Sequence, residues 1–305
     1  MTTEALKPPV VSSARSHAAF AGGLVLSVIV FWKTLHALLL FSLNNDSSSH
    51  IVLIPLVSIY LLFTERSRIF RVVRPSPVPG IAVVLAAIAL YLFVGSRLSV
   101  GDPEHFLPGA TLAIVLFWLG GFLLCYGGEA WRRASFSLLF LLLMVPLPPT
   151  IVDRTVYLLQ QGSTEIAYLL FKAVGVPVLR QGFILSLPTV TIEVAEECSS
   201  IRSSVALLIT CLLAAHLFLR TKWKMLVFVL LALPLSIIKN GIRIATLTLL
   251  AVYVNPGFLT GRLHHEGGFV FFLIALGLLL PVLLFLQKSE RVPKTAGETG
   301  SKAQS

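Results

Sequence analysis

Three side-chain types that can together cut and re-form an amide bond stand far apart in this chain. Cys198 sits in "VAEECSSIRSS", preceded by Glu196 and Glu197 and followed by Ser199 and Ser200, where a polar stretch meets an apolar run. Arg243 lies inside the apolar stretch "SIIKNGIRIATLTLL", and the twin histidines His264 and His265 occupy "NPGFLTGRLHHEGG". A free thiol, with a pKa of about 8.5, is a weak nucleophile near neutrality until a neighbouring cation or base favours the thiolate. A histidine can take the thiol proton and later return it to a leaving amine. An arginine stays charged when partly desolvated, and its five donors can hold a carbonyl oxygen as it becomes an oxyanion. Glu193, Glu196 and Glu197 oppose thiolate formation if they point at the sulfur, and fit better facing water or a substrate's cationic flank.

What must position these groups follows from composition. The chain has 305 residues, 56% of them hydrophobic and only 12% charged, with a mean hydropathy of +0.89. A soluble domain carries roughly 25% charged residues, so most of this chain is solvated by lipid. The expectation is an all-α polytopic membrane protein. A bilayer crossing needs about 20 apolar residues, and on that measure eight spans are expected, near 19–43, 51–63, 80–95, 107–126, 134–147, 203–219, 224–254 and 268–286. Pro146, Pro148 and Pro149 stop the fifth, since proline cannot continue a helix. The organisation is then a cytoplasmic tail at 1–18, a membrane-embedded core at 19–286 and a disordered cytoplasmic tail at 287–305. No removable signal peptide is expected at the N-terminus.

The net charge of +10 is a matter of topology rather than of nucleic-acid binding, because Lys and Arg in short loops mark the cytoplasmic side. Basic residues cluster in the N-terminal tail, in "TERSRIFRVVRPSP", at Arg132 and Arg133, in "RTKWK" and in the C-terminal tail. The alternate loops are poor in cations. With both termini cytoplasmic, every basic cluster falls on one side, which suits a bacterial inner membrane. Cys198 then starts the sixth span at the outer face. Arg243 lies about nineteen residues beyond Lys224, roughly 28 Å along the seventh at 1.5 Å per residue, near the same boundary. The histidines lie in the last outer loop. Thiol, guanidinium and imidazole are thus expected on one face.

The segment 150–197 is the exception to the run of spans. "TVYLLQQGSTEIAYLLFKAVG" reads as an amphipathic helix at the outer interface, followed by two short strand-like runs, "GFILSLP" and "TVTIEVA". Long ordered loops of this kind are commonly functional. Cys125 and Cys211 lie in apolar runs where a thiol behaves as a small hydrophobe, so neither a disulfide framework nor a metal site is signalled, and no cofactor is called for.

The stretches "VPVLRQGFILSLPTVTIEVAEECSSIRSS", "LPLSIIKNGIRIATL" and "LHHEGGFVFF" resemble the exosortase/archaeosortase family of membrane-embedded cysteine protease-transpeptidases, as does the proline-ended "LLMVPLPPTIVDRTVYLLQQGSTEIAYLL". The likeness covers about 50–285. It implies an active site of a Cys, an Arg from an Asn-x-x-Arg element and a His before a Gly-aromatic helix start: Cys198, Arg243 preceded by Asn240, and His264, with His265 as the alternative. Ser200 stands where the family usually has glycine. The resemblance further implies, as partners, exported proteins bearing a C-terminal motif, a membrane helix and a basic cluster, cleaved at the outer face and then transferred to an acceptor or released.

Several neighbours admit two readings. Arg202, one turn after Cys198, either supports a thiolate or anchors the helix at the interface. Asn240 orients the site or satisfies buried carbonyls, and Lys239 fits either role. An ionisable residue in a span is costly and is a functional candidate by default. His50, His36, Lys33, His216 and His105 read as structural, interfacial or solvated. Two other functions compete with the hydrolase: a transporter of an anionic solute, which would line several spans with charge near the midplane, and an enzyme acting on a lipid-linked substrate, which would leave Cys198 without a task.

Overall fold

The computed structural model describes residues 13–195, 201–259 and 268–290. Eleven helices occur among them: α1 Ser13–Val30, α2 Trp32–Asn44, α3 Leu53–Thr64, α4 Arg66–Ile69, α5 Pro77–Arg97, α6 Pro103–Phe140, α7 Pro149–Ala173, α8 Ile201–Phe218, α9 Lys222–Leu230, α10 Ala232–Tyr253 and α11 Gly268–Lys288. One small sheet joins them. Five of the helical stretches are long and apolar enough to cross a membrane, or six if the bent pair α1 and α2 is one span. The all-α membrane architecture expected from composition is what is found.

The division into spans differs from the expectation in three places. The first span is two helices meeting at 75°. The second is the 12-residue α3, about 18 Å long at 1.5 Å per residue and short of the ~30 Å hydrocarbon core. The fourth and fifth are two helical segments that follow one another directly within Pro103–Phe140 (α6) and meet at a kink at Gly127, whose φ of 82° and ψ of 178° leave the helical region, so the second segment begins earlier than expected. A Cβ at Gly127 would lie 1.6 Å from the Arg74 carbonyl oxygen, and the Arg74 amide donates to Tyr126 O at 3.3 Å. The arginines 132 and 133 therefore lie within the helix and not in a loop. Arg133 pairs with Glu129 at 2.5 Å.

The chain divides into two compact units, Met1–Thr155 and Val156–Ser305. In the first, α5 packs along α6 at two close approaches, where a Cβ on Gly80 would meet Leu124 at 2.6 Å and one on Gly120 would meet Val84 at 2.9 Å. An aromatic group formed by Phe20, Phe70, Phe122 and Tyr126 fills the space beside it, and His17 Nδ1 hydrogen-bonds the Tyr126 hydroxyl at 2.9 Å. Ser58 on α3 donates to Ser137 O at 2.5 Å.

The second unit holds the remaining helices and the sheet. The amphipathic helix expected in 150–197 is α7, longer than read, and the two strand-like runs are β2 Ile184–Ser186 and β3 Thr191–Glu193. A third strand, β1 Leu179–Gln181, pairs antiparallel with β2, which also pairs antiparallel with β3. The β1–β2 turn uses Gly182 at a φ of 63°, which a side chain would strain. Leu185, Leu187 and Val194 of the sheet region bury with Ala167 and Phe171 of α7 and Ala245 of α10. Gln160 of α7 donates to the Val194 carbonyl, and Glu165 of α7 pairs with Arg180 of β1.

A separate apolar cluster unites α8, α9, α10 and α11 through Leu207, Cys211, Ala215, Phe228, Ala232, Ala275 and Leu279. Glu290, just past α11, accepts from the backbone N–H of Arg220 at 2.9 Å and of Thr221 at 2.8 Å. Lys224 donates to Ser289 at 2.8 Å. The last turns of α8 and α11 therefore meet, and α9 begins there. A carboxylate at the start of α9 also complements the positive end of that helix.

Two predictions follow from this packing. A Cβ on Gly241 would sit 2.5 Å from Ile166 Cβ and 3.1 Å from Ser163 O, so Gly241→Ala is expected to destabilise the protein by about 1–3 kcal/mol. Gly277→Ala, whose Cβ meets open space, should leave the melting temperature in detergent nearly unchanged. Backbone hydrogen bonds, first from Thr221, hold the Glu290 carboxyl below its ordinary value of 4.5. A depressed carboxylate stabilises above its unfolded value, and that contribution is lost as pH falls through the folded value. Exchange protection of the Arg220 and Thr221 amides should fall with Glu290→Gln at neutral pH, and in the native chain only well below pH 4.5.

Candidate functional site

Most of the polar groups buried in the second unit lie on α7 and α10. Lys239 is 5% exposed and Asn240 1%, and both lie in a stretch that is otherwise apolar. Burying an amide or an ammonium in apolar surroundings is costly unless each finds a hydrogen-bond partner. Both find one on a different helix. The Lys239 ammonium donates to the hydroxyl of Ser203 on α8, and Asn240 Nδ2 donates to Ser163 Oγ on α7 at 3.0 Å. Consecutive residues on a helix point about 100° apart, so this dipeptide fastens α10 to two neighbours at one level.

Gly241 follows directly, and the close approach it permits brings α7 against α10 at the same level. The small residues Gly162 and Gly241 do here what small residues do between membrane helices, letting backbones come near enough for side-chain hydrogen bonds. A Cβ on Gly162 would meet Ile237 at 2.7 Å.

Arg243 is half-buried and follows Lys239 by four residues, on the same side of α10 and about 6 Å further along. Arg202 is exposed on the first turn of α8. The sheet packs at this level too, since Ala245 of α10 belongs to its core cluster.

The directions of the three long helices follow from the bonds at their two ends. Ser203, in the first turn of α8, meets Lys239 of α10. At the opposite end, the residues after α8 meet Glu290 after α11. Helices α8 and α11 thus run the same way, and the α9–α10 stretch returns alongside them. The first turn of α8, the second half of α10 and the first turn of α11 share one end of the unit.

Of the residues singled out from the sequence, Arg243, Asn240 and Arg202 are among those described, and the first two lie on one turn of α10. Cys198, His264 and His265 lie outside the described residues. Cys198 precedes Ile201 by three positions and His264 precedes Gly268 by four. Sequence reasoning passed over Ser203, Ser163 and Gln160. Ser163 and Gln160 carry a usable signal, since in "LLQQGSTEIA" they fall one turn apart on the side of α7 that also bears Thr164 and Ala167, all buried. Ser203 has no such signal. Among the described residues no group of three or more His, Cys, Asp or Glu is placed to hold a metal ion.

His50 begins the chain into α3, and its imidazole is held below its ordinary value by desolvation, against which backbone hydrogen bonds with Leu143 and Ser47 act.

Neither a curated protein nor a solved structure matches the chain. The family model described as "Transmembrane exosortase (Exosortase_EpsH)" matches residues 32–281, which takes in α2 through most of α11 and all of the buried polar level described above. This is a multi-pass membrane protein that belongs to the transmembrane exosortase family.

Proposed function

We propose that the protein is a cysteine protease-transpeptidase that cleaves C-terminal sorting signals of exported proteins at the outer face of the bacterial inner membrane. Cys198 is its nucleophile, Arg243 its oxyanion donor and His264 its acid–base, with His265 as the alternative imidazole. The observation that carries the reading is the shared end of α8, α10 and α11 in a chain of this family. Chain connectivity adds to it. Three peptide steps keep the Cys198 Cα within about 11 Å of that of Ile201, and four keep His264 within about 15 Å of Gly268.

In this reading His264 takes the Cys198 proton, and the thiolate attacks the carbonyl carbon of a substrate peptide bond. A C–S bond forms, and the carbonyl electron pair moves to oxygen as an oxyanion. Arg243 donates hydrogen bonds to that oxyanion, worth several kcal/mol where such donors are preorganised in a water-poor site. When the oxyanion collapses, the C–N bond breaks and the imidazolium gives its proton to the departing amine, leaving a thioester on Cys198. An acceptor amine or water then attacks, the C–S bond breaks and the thiol is restored. Asn240 holds α10 in register through Ser163, and Arg202 stands at the mouth of the site. No cofactor takes part. The partners are exported proteins with a C-terminal motif, an apolar helix and a basic end, together with membrane lipid.

With the termini and the basic clusters at the cytoplasmic side, the Ile201 end of α8 faces out, where an emerging polypeptide is accessible. The test is Cys198→Ala in cells carrying a tagged candidate substrate. Processing should be abolished while membrane insertion and protein level stay normal, and mass spectrometry of the native enzyme should trap an acyl group on Cys198. Retained processing by Cys198→Ala would contradict the reading and return the transporter and lipid-substrate alternatives.

A further inference from the structure

We propose that Lys239 is a positioning residue of the site, acting through its hydrogen bond to Ser203 to fix the first turn of α8 and with it the presentation of Cys198. The proposal rests on the cysteine reading above and adds to it a residue outside the Cys-Arg-His set. It starts from an imbalance. Lys239 is 5% exposed, and among the described residues no carboxylate forms an ion pair with it. Its described partner is the neutral hydroxyl of Ser203. A buried ammonium is costly even with good partners, and like charges four apart on a helix, as Lys239 and Arg243 are, repel. For packing alone, a leucine or methionine here would be less costly. The ammonium gives what an apolar chain cannot, a directional bond from α10 to a chosen turn of α8.

The place of that bond says what it controls. Ser203 is the third residue of α8 and follows Cys198 by five. The first turn of a helix has no intrahelical partners for its amides and frays readily. A bond at Ser203 holds that turn against α10, one turn before Arg243. On α10 itself the anchor is stiff, because the adjacent Asn240 is bonded to Ser163 and the adjacent Gly241 is pressed on Ile166. Lys239 therefore joins the rigid α7–α10 pair to the start of α8.

The test needs no identified substrate. In a background of Cys125→Ser and Cys211→Ala, Cys198 is the single thiol, and its alkylation rate by a water-soluble maleimide reads its presentation. Ser203→Ala, which removes the acceptor and keeps the charge, should change that rate by about fivefold or more, the scale of coupling seen between contacting polar residues. Lys239→Met should change it to a similar extent. The double variant should be no further changed than either single one, and Lys239→Arg should restore most of the native rate, with melting temperatures in detergent compared throughout. If Ser203→Ala leaves the rate unchanged while Lys239→Met alters it, the charge and not the bond is at work, and the proposal fails. Additive effects of the two variants, or changes that only follow loss of folded protein, also overturn it. Cys198→Ala with processing intact would instead defeat the cysteine reading and leave the measured Lys239–Ser203 coupling standing.

Discussion

A polar side chain inside an apolar medium must find a partner, and towards one end of the second unit two adjacent residues meet that demand in different directions. Lys239 reaches α8 and Asn240 reaches α7. Apolar contacts between membrane helices are poorly directional, since lipid competes for them on nearly equal terms. Hydrogen bonds between buried groups are specific, because a sliding helix leaves them unmade at a cost of about 1–3 kcal/mol each. The apolar cluster of α8, α9, α10 and α11 supplies cohesion, while the α10 dipeptide supplies register. Arg243 inherits its height from that register, one turn beyond.

The opposite end of the unit is fixed by a different device. Glu290 gathers the amides of Arg220 and Thr221, and Lys224 reaches Ser289, so the polypeptide is tied where α8 ends, α9 begins and α11 finishes. Glu290 lies beyond the apolar stretch of α11, and the buried Lys224 ammonium is satisfied by the Ser289 hydroxyl. With both ends tied, three helices are held in parallel and antiparallel directions that place the first turns of α8 and α11 and the second half of α10 at one end. The sheet caps this arrangement from α7, with Leu185 and Val194 buried against Phe171 and Ala245, and delivers the chain from β3 to the residues before α8.

Much of this was legible in the sequence because apolar runs report burial in lipid with little ambiguity. The runs at 80–95, 203–219 and 268–286 correspond to α5, α8 and α11, and the amphipathic pattern of 150–197 to α7. The failures have specific causes. A single glycine with a positive φ ends one helical segment and the next follows without a loop, so the arginines at 132 and 133 imitate a loop that is not there. The Phe31 junction between α1 and α2 carries neither proline nor glycine, so nothing announces its 75° bend. The strand β1, three residues long, is too short to show alternation. At the buried polar level of α10, Arg243 and Asn240 stand out in the sequence because polar residues in a span are expensive. Ser203 was invisible because a serine near a helix start has many ordinary explanations.

The central claim is spatial: the sulfur of Cys198, which precedes α8, the guanidinium of Arg243 in α10 and an imidazole from the residues preceding α11 form one pocket. The most direct measurement is an experimental structure of the protein with Cys198 alkylated by a peptidyl chloromethyl ketone. The account predicts the peptidyl carbonyl oxygen within about 3–4 Å of the Arg243 guanidinium and one of the twin imidazoles within reach of the sulfur, as acid–base catalysis requires. A Cys198 sulfur lying about 10 Å or more from both groups, well beyond the reach of proton transfer, would contradict it.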